Sequence, residues 1–598
     1  MAFQKETLVL SVNIIISFYL AFILWDYIEF EYVDKGIIGI YSENNFNPLN
    51  DFIRYIVFVF IPVSSFFLTK YYYNKNFLIK FKNLFLHQPL AYKNGKELSW
   101  AIFFLILTFI ILEFLSVSFP DHKLDSFHEG QRLSSAYKSL IDGSLWSGSF
   151  VTIGIFFETL SSKIIWNTFD YISIGLTRYL EILFILTQKI LLVLLLFIFT
   201  NFLKLNFLYK NIFFIFNTFI VSFLSNYISG VDLLSYRELP IIVLSILFLL
   251  SLKNNNNLII IFLISLLSIS SMFWGIDRGL ICNFLIFVII FYLLLIKEFK
   301  KTFFLIISIS ITWFLFFVIS KNEFLYFFEN TITIFKEMSH IHGLIHPKPF
   351  TGEPNSARAT KTLLSIIFTC MVAVHLIFSD NKNFSIPFKR FLIFFSLVCV
   401  GSYLYALGRS DGGHIKNSFG YPLLFISIYL SYNFLLFISE KKMKIKNYLI
   451  YIISIFFIFV SFQLNLKNII SYNERFNTFV NLKDDYFLNN DEIELVNELK
   501  TKVKKYECIQ LLSNDAALYF LFRKKSCTRY YFIWNASSKD SQKTLIQELK
   551  NTQIIIEGGP RDNWDVPLNK KMHLVYDELD NKFYEVQKIK KWRVFLRQ

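Results

Sequence analysis

Apolar runs recur along this chain at roughly 7–25, 52–69, 98–118, 179–203, 211–228, 239–253, 257–273, 280–296, 302–320, 361–379, 390–407, 419–438 and 447–465. About 20 apolar residues wound as a helix cross the ~30 Å hydrocarbon core of a bilayer. No water is available there, so each span must satisfy its own backbone hydrogen bonds, and a helix does so. With 54% hydrophobic residues the chain lies outside the range of soluble proteins. It reads as an all-α polytopic membrane protein of about thirteen transmembrane helices. The first run, Leu8 to Trp25, has no small-residue cleavage site after it and reads as an uncleaved span. The stretch 150–166 carries Glu158, Ser161, Ser162 and Lys163 and reads as an interfacial or re-entrant helix instead.

Charge sets the orientation. The formal net charge of +15 would suit nucleic acid, but most of the cations sit in short loops between spans. There the preference of Lys and Arg for the cytoplasmic side explains them, and no nucleic-acid partner is expected. Lys70, Lys75, Lys80, Lys82, Lys93 and Lys96 occupy one such loop; "KEFKK" (297–301), "EKKMKIK" (440–446) and the pair Lys204 and Lys210 mark others. An N-terminus in the cytoplasm puts all of them inside. The chain is then a multi-pass protein of a bacterial inner (plasma) membrane.

The loops 26–51, 119–178, 229–238, 274–279, 321–360 and 408–418 then face outward with the tail. They hold six of the nine histidines, so the polar chemistry gathers on one side of the membrane. Residues 1–465 form the membrane domain and 466–598 an extracytoplasmic α/β domain, expected from a helix over 491–506, the strand "CIQLL", the helix "SNDAALYFLF", the strand "RYYFI", a helix near 540–550 and the strand "QIIIEGG". Cys508 and Cys527 fall in this tail, where oxidation is permitted; spacing leaves their pairing open. The chain has no Walker loop, dinucleotide fingerprint, CxxC or HExxH, so no metal site or nucleotide cofactor is indicated.

Two stretches carry the strongest chemistry. In "FPDHKLDSFHEGQRLSSAYKSLIDGSLW" (119–146), Asp125 and Glu129 are four apart, as are His128 and Arg132, so a helix would place each pair on one face. A carboxylate beside an apolar wall suits general-base work. In "GRSDGGHIKNSFGYP" (408–422), Arg409 offers a planar fork for phosphate, Asp411 can orient it, Gly412 and Gly413 admit a ligand close to the backbone, and His414 can donate or take a proton. Arg237, Arg278 and Arg358 lie in other outer loops and could line the same cavity, whereas Lys189 sits within a span. His340, His342 and His346 suit a substrate-gating loop better than a metal site.

These motifs resemble the polytopic GT-C class of glycosyltransferases, which depend on dolichyl- or polyprenyl-phosphate sugars. "LDSFHEGQRL" is similar to a "D-x-F-H-E-G-E" pattern of uncharacterised bacterial members, "GRSDGGHI" to their late "G-R-x-D-x-x-H" loop, and "WGIDRGL" to another arginine loop. The resemblance implies Asp125 as general base and Glu129 as a supporting or acceptor-binding acid. It implies His128, Arg132, Arg237, Arg278, Arg358, Arg409, Asp411 and His414 as substrate-binding residues, with Arg409 and His414 on the lipid phosphate. The acceptor would be a glycan, lipid or protein, and transfer would invert the anomeric carbon. A divalent cation is compatible with the motif but not indicated by it. The class places its acidic motif after the first span, and here it follows the third, so Asp26, Glu29, Glu31 and Asp34 are alternative carboxylates.

Two other readings compete. An O-antigen-ligase-like or polymerase-like enzyme would use outer arginines and a histidine on a pyrophosphate-linked glycan; "DSFHEG" argues against it. A transporter of lipid-linked glycan would show pseudo-symmetric halves and paired broken helices, and the sequence has neither signature.

Overall fold

In a computed structural model, the chain is described over residues 2–598 apart from 75, 87–96, 225–234, 254–256, 441–454, 458–461, 463 and 563–564. Eight helices are long and apolar enough to cross a membrane: Glu6–Tyr27, Leu49–Tyr73, Ile174–Thr200, Ile276–Leu295, Phe299–Ser320, Ser356–Phe378, Ile386–Gly408 and Gly412–Glu440. Four shorter apolar helices, Trp100–Ser116, Phe207–Ser222, Leu258–Trp274 and Leu239–Lys253, occupy four more of the expected intervals. Most of the thirteenth interval, 447–465, and most of the loop 229–238 lie outside the described residues. The bundle core is built largely from aromatic and branched side chains such as Phe199, Phe213, Leu249, Phe391, Phe395 and Tyr432.

The loops sort to two ends, as their charges require. At one end Lys80 bonds Asp380 at 2.5 Å, Lys204 the carbonyl of Lys382 at 2.5 Å and Lys253 pairs with Glu97 at 3.0 Å. The acidic loop, the arginine loops and the tail gather at the other. There the helix Asn322–His342 presents Leu325, Phe328, Ile332 and Phe335 outward, the habit of a helix lying at a membrane surface.

The tail carries a five-stranded mixed sheet. Its strands are β1 (Cys508–Leu512), β2 (Lys525–Ser526), β3 (Ile554–Gly558), β4 (Phe583–Ile589) and β5 (Trp592–Arg597), in the order β2-β1-β3-β5-β4. β1 runs parallel to β2 and β3, while β5 is antiparallel to β3 and β4. Cys508, which opens β1, and Cys527, which follows β2, form a disulfide beside the paired strands. The expected strand "RYYFI" is instead an irregular buried segment entering a 3-10 turn at Ile533–Ala536. Its strand-like aromatics are used separately: the carbonyl of Arg529 accepts from the Phe150 amide at 2.9 Å, and the Tyr531 hydroxyl donates to Glu158 at 2.6 Å. β4 and β5 were not foreseen.

The tail does not bury its core alone. Leu124, Phe127, Leu133, Ala136 and Trp166 of the second outer loop pack in one cluster with Leu495, Ile509, Phe520 and Trp592. The helix His128–Asp142 meets the tail at Gly130, where a Cβ would lie 2.4 Å from the Ala517 amide nitrogen. That close approach lets Ala517 donate to the Ser126 carbonyl at 3.0 Å and the Ser134 hydroxyl to the Ala516 carbonyl at 2.6 Å. The stretch 150–166 is a π-turn, Phe156–Leu160, running into the helix Ser161–Phe169. It belongs to this tail-facing layer. Its Glu158 is fully buried, accepts from the Thr152 amide at 2.9 Å and also from that of Ile153. Burial pushes the Glu158 carboxyl up to about 7 against these hydrogen bonds.

Candidate active site

Between the bundle and the tail lies a cleft of about 630 Å³. Its apolar wall is Ile334, Phe335 and Met338 with Leu280 and Leu404 from spans. Its polar side is His128, Arg237, Asp277, Arg409, Asp411 and His414, with His342 and Trp534 between.

The two sequence motifs build the polar side with the same local device. Asp125 lies just before a helix start and accepts from the amides of Phe127 and His128, both at 3.1 Å. Its other oxygen is 2.8 Å from Nδ1 of His128. Asp411 caps the short helix Gly412–Asn417, accepting from the His414 amide at 2.9 Å and lying 2.7 Å from His414 Nδ1. In each D-x-x-H stretch the carboxylate fixes the imidazole with Nδ1 protonated, the orienting role an aspartate plays toward a catalytic histidine. Burial alone would raise the Asp125 carboxyl, but His128 and the Arg561 guanidinium hold it well below the usual carboxylate range. Burial of Asp411 is likewise outweighed by His414 and Arg409.

Arg409 is held at four points. Its Nε donates to Asp411 at 2.9 Å, Nη1 to the His342 carbonyl at 3.0 Å, and both Nη atoms approach Asp565 of the tail at 3.3 and 3.4 Å. The guanidinium carbon stands 5.8 Å from the centre of the Trp534 ring. Trp534 also packs on His342, at 4.3 Å. Burial, then Lys571 and Arg409, push the His342 imidazole down to about 3, so it stays neutral. Arg237 donates to Asp277 at 3.1 Å and faces the ring of Tyr405.

The expected site residues divide into two groups. His128, Arg237, Arg409, Asp411 and His414 line the cleft together. Asp125 stands behind His128, in contact with Arg561 at 2.5 Å. Glu129 does not line the cleft: its carboxylate accepts from the Asp125 amide at 3.3 Å and is held by Arg178 at 2.9 and 3.0 Å. Arg132 does not meet His128; it is buried, pairs with Glu181 and covers the Phe157 ring. Arg278 is buried between Glu238 and Asp277 at 2.5 and 2.6 Å and stacks on Tyr405 at 3.9 Å, so it shapes the wall from behind. Arg358 supports the Arg409 loop: a Cβ on Gly412 would collide with its Nη1. Asp26 pairs with Lys348 at 2.6 Å away from the cleft lining. His346 is internal, 2.7 Å from the Tyr403 hydroxyl, while His342 joins the cleft. Lys189 pairs with Glu113 at 3.2 Å.

Arg561, Asp565 and Trp534, which complete the site from the tail, were not anticipated. The only local signal was the run "GGPRDNWD" (558–565), dense in turn-formers and charge.

No family model and no curated protein matches this sequence. Among solved structures, the chain is similar to ArnT from Cupriavidus metallidurans bound to undecaprenyl phosphate, with 10% identity over 83% of this chain and 96% of that one and a TM-score of 0.41. It is also similar to the archaeal oligosaccharyltransferase AglB from Archaeoglobus fulgidus in complex with an inhibitory peptide and a dolichol-phosphate, with 10% identity over 84% and 75% and a TM-score of 0.35. By its own spans, sheet and buried layers, the chain is an all-α polytopic membrane protein with a C-terminal α/β domain, and its cleft lies where the two meet.

Proposed function

We propose that this chain is a membrane glycosyltransferase. It moves a sugar from a polyprenyl-phosphate donor to a glycan, lipid or protein acceptor on the extracytoplasmic face, with inversion. The observation that carries this reading is one cleft with an apolar wall at the membrane surface, an arginine fork oriented by a carboxylate, and a second carboxylate–imidazole pair beside it. The wall suits an isoprenoid chain, Arg409 and His414 suit its phosphate, and the Asp125–His128 pair suits an acceptor hydroxyl. The tail disulfide supports an oxidising, extracytoplasmic location for this end.

In the reaction the acceptor oxygen attacks the anomeric carbon from the side opposite the phosphate. The bond from that carbon to the phosphate oxygen breaks, and its electron pair leaves with polyprenyl phosphate. The hydroxyl proton passes to the Asp125–His128 pair; Asp125, held as a strong acid, stabilises the imidazolium rather than keeping the proton. Arg409 stabilises the departing phosphate.

The test is release of polyprenyl phosphate by protein in lipid discs, over a panel of polyprenyl-phosphate sugars and acceptors. Wild type should turn over one donor, while Asp125→Asn should bind that donor and turn over at least ~10²-fold more slowly. Turnover only of pyrophosphate-linked glycan would move the chain to the ligase-like reading and refute this one.

A further inference from the structure

Lys571 ends the short helix Leu568–Lys571 beside the cleft and is only 2% exposed. Its ammonium has neither an ion-pair nor a hydrogen-bond partner among the described residues. The side chain is buried while Nζ itself keeps some accessible surface, and a largely desolvated ammonium without a counter-ion is costly. Nζ stands 4.4 Å from the centre of the Trp534 ring, the ring that Arg409 and His342 also approach. Nearby, the Asp565 carboxylate lies across the Arg409 fork at 3.3 and 3.4 Å. The chain's own anion thus occupies a seat next to two cations, one from the bundle and one from the tail.

Resting on the function proposed above, we infer that Lys571 and Arg409 together form a seat for a dianionic phosphate monoester, and that Asp565 holds this seat in the absence of ligand. A phosphodiester donor carries one negative charge, and the phosphate monoester that leaves carries two. A second cation near the fork favours the state in which that charge has developed, which is where electrostatic stabilisation accelerates a reaction. Burial brings the Lys571 ammonium down to about 8, with Asp565 and Glu43 opposing and Arg409 adding to that effect, so it is still mostly charged near neutrality.

The experiment measures binding of farnesyl phosphate (a monoester) and farnesyl methyl phosphate (a diester) to the full chain in lipid discs. Wild type should prefer the monoester roughly tenfold or more, the scale of one charge-assisted contact. Lys571→Met should lose most of that preference, keep its affinity for the diester and melt no earlier than wild type, since an unpaired charge is replaced by an apolar chain of similar length. Asp565→Asn, which keeps Lys571, should tighten the monoester. An unchanged preference in Lys571→Met, or weaker monoester binding in Asp565→Asn, would overturn the inference while leaving the glycosyltransferase reading intact. Binding of neither probe by wild type would overturn both. Displacement of farnesyl phosphate by an equal concentration of inorganic phosphate would assign the seat to free phosphate and also overturn it.

Discussion

Gly130→Ala sets two physical effects against each other. In an isolated helix the change is favourable by about 1 kcal/mol, because alanine loses less backbone entropy than glycine. In this chain the new Cβ would lie 2.4 Å from the Ala517 nitrogen, 3.0 Å from the Ala516 carbonyl carbon and 3.1 Å from the Ala517 Cα. All three atoms are backbone, so no rotamer change relieves the collision. Reaching an ordinary contact of about 3.5 Å requires the tail to withdraw by roughly 1 Å. Overpacking of this kind costs about 1–3 kcal/mol. The withdrawal also weakens the Ala517–Ser126 and Ser134–Ala516 hydrogen bonds, about 1 kcal/mol each. After the gain in helix propensity is subtracted, the net destabilisation is about 2–4 kcal/mol. Thermal melting of the purified chain in lipid discs, followed by tryptophan fluorescence, reads the sign directly. The midpoint should fall, and turnover should fall with it, because Asp125 and His128 sit on the displaced segment while Arg561 and Trp534 sit on the tail. A raised midpoint would refute the close approach and with it this docking of tail on loop.

Three further outcomes follow from the geometry. Arg409→Lys keeps the charge but loses the fork shared by Asp411, the His342 carbonyl and Asp565, and turnover of the lipid-linked donor should fall ~10²–10³-fold. Paired Cys508→Ser and Cys527→Ser changes open a loop with a sequence separation of 19 and should cost about 3 kcal/mol in equilibrium unfolding; a loss below ~1 kcal/mol would show that the bridge contributes little. Burial raises the Glu158 carboxyl from the ordinary 4.5 to about 7, so the folded chain binds the extra proton between those values, and its contribution to stability declines as pH rises through that window. Melting midpoints of wild type minus Glu158→Gln should therefore fall from pH 4.5 to 7, and a flat difference would refute the shift.

The membrane part was legible because hydrocarbon imposes a single length and composition on every span, whatever else a residue does. Twelve intervals could thus be drawn with no knowledge of how Phe199 meets Phe391. The two D-x-x-H stretches were legible for a related reason: an aspartate one to three residues before a helix start accepts from amides two or three residues further on, so Asp125–His128 and Asp411–His414 are local devices. Asp125 and Glu129 do meet as their spacing suggests, the Asp125 amide donating to the Glu129 carboxylate at 3.3 Å, but Arg178, distant in sequence, holds that carboxylate away from the cleft. Arg132 and Arg278 were indistinguishable in sequence from Arg409, yet each is itself buried and paired with an acid, Glu181 and Glu238 respectively. The tail's contributions were out of reach. Arg561 finds Asp125 across 436 positions, and no periodicity spans that separation.

The shared core of loop and tail has a consequence for how the molecule comes into being. The Ser126 hydroxyl bonds Glu492 across 366 positions, a stretch that takes roughly 20–70 s to synthesise at ~5–20 residues per second. Until then Leu124, Phe127 and Leu133 have no tail to cover them, although the spans on either side are already made. The nascent protein must shelter an apolar face for most of its synthesis, on the bilayer surface or on a chaperone. A chain halted after residue 466 should insert its spans normally yet be cleared faster in a pulse-chase than the full chain, and equal lifetimes would show that the loop folds unaided.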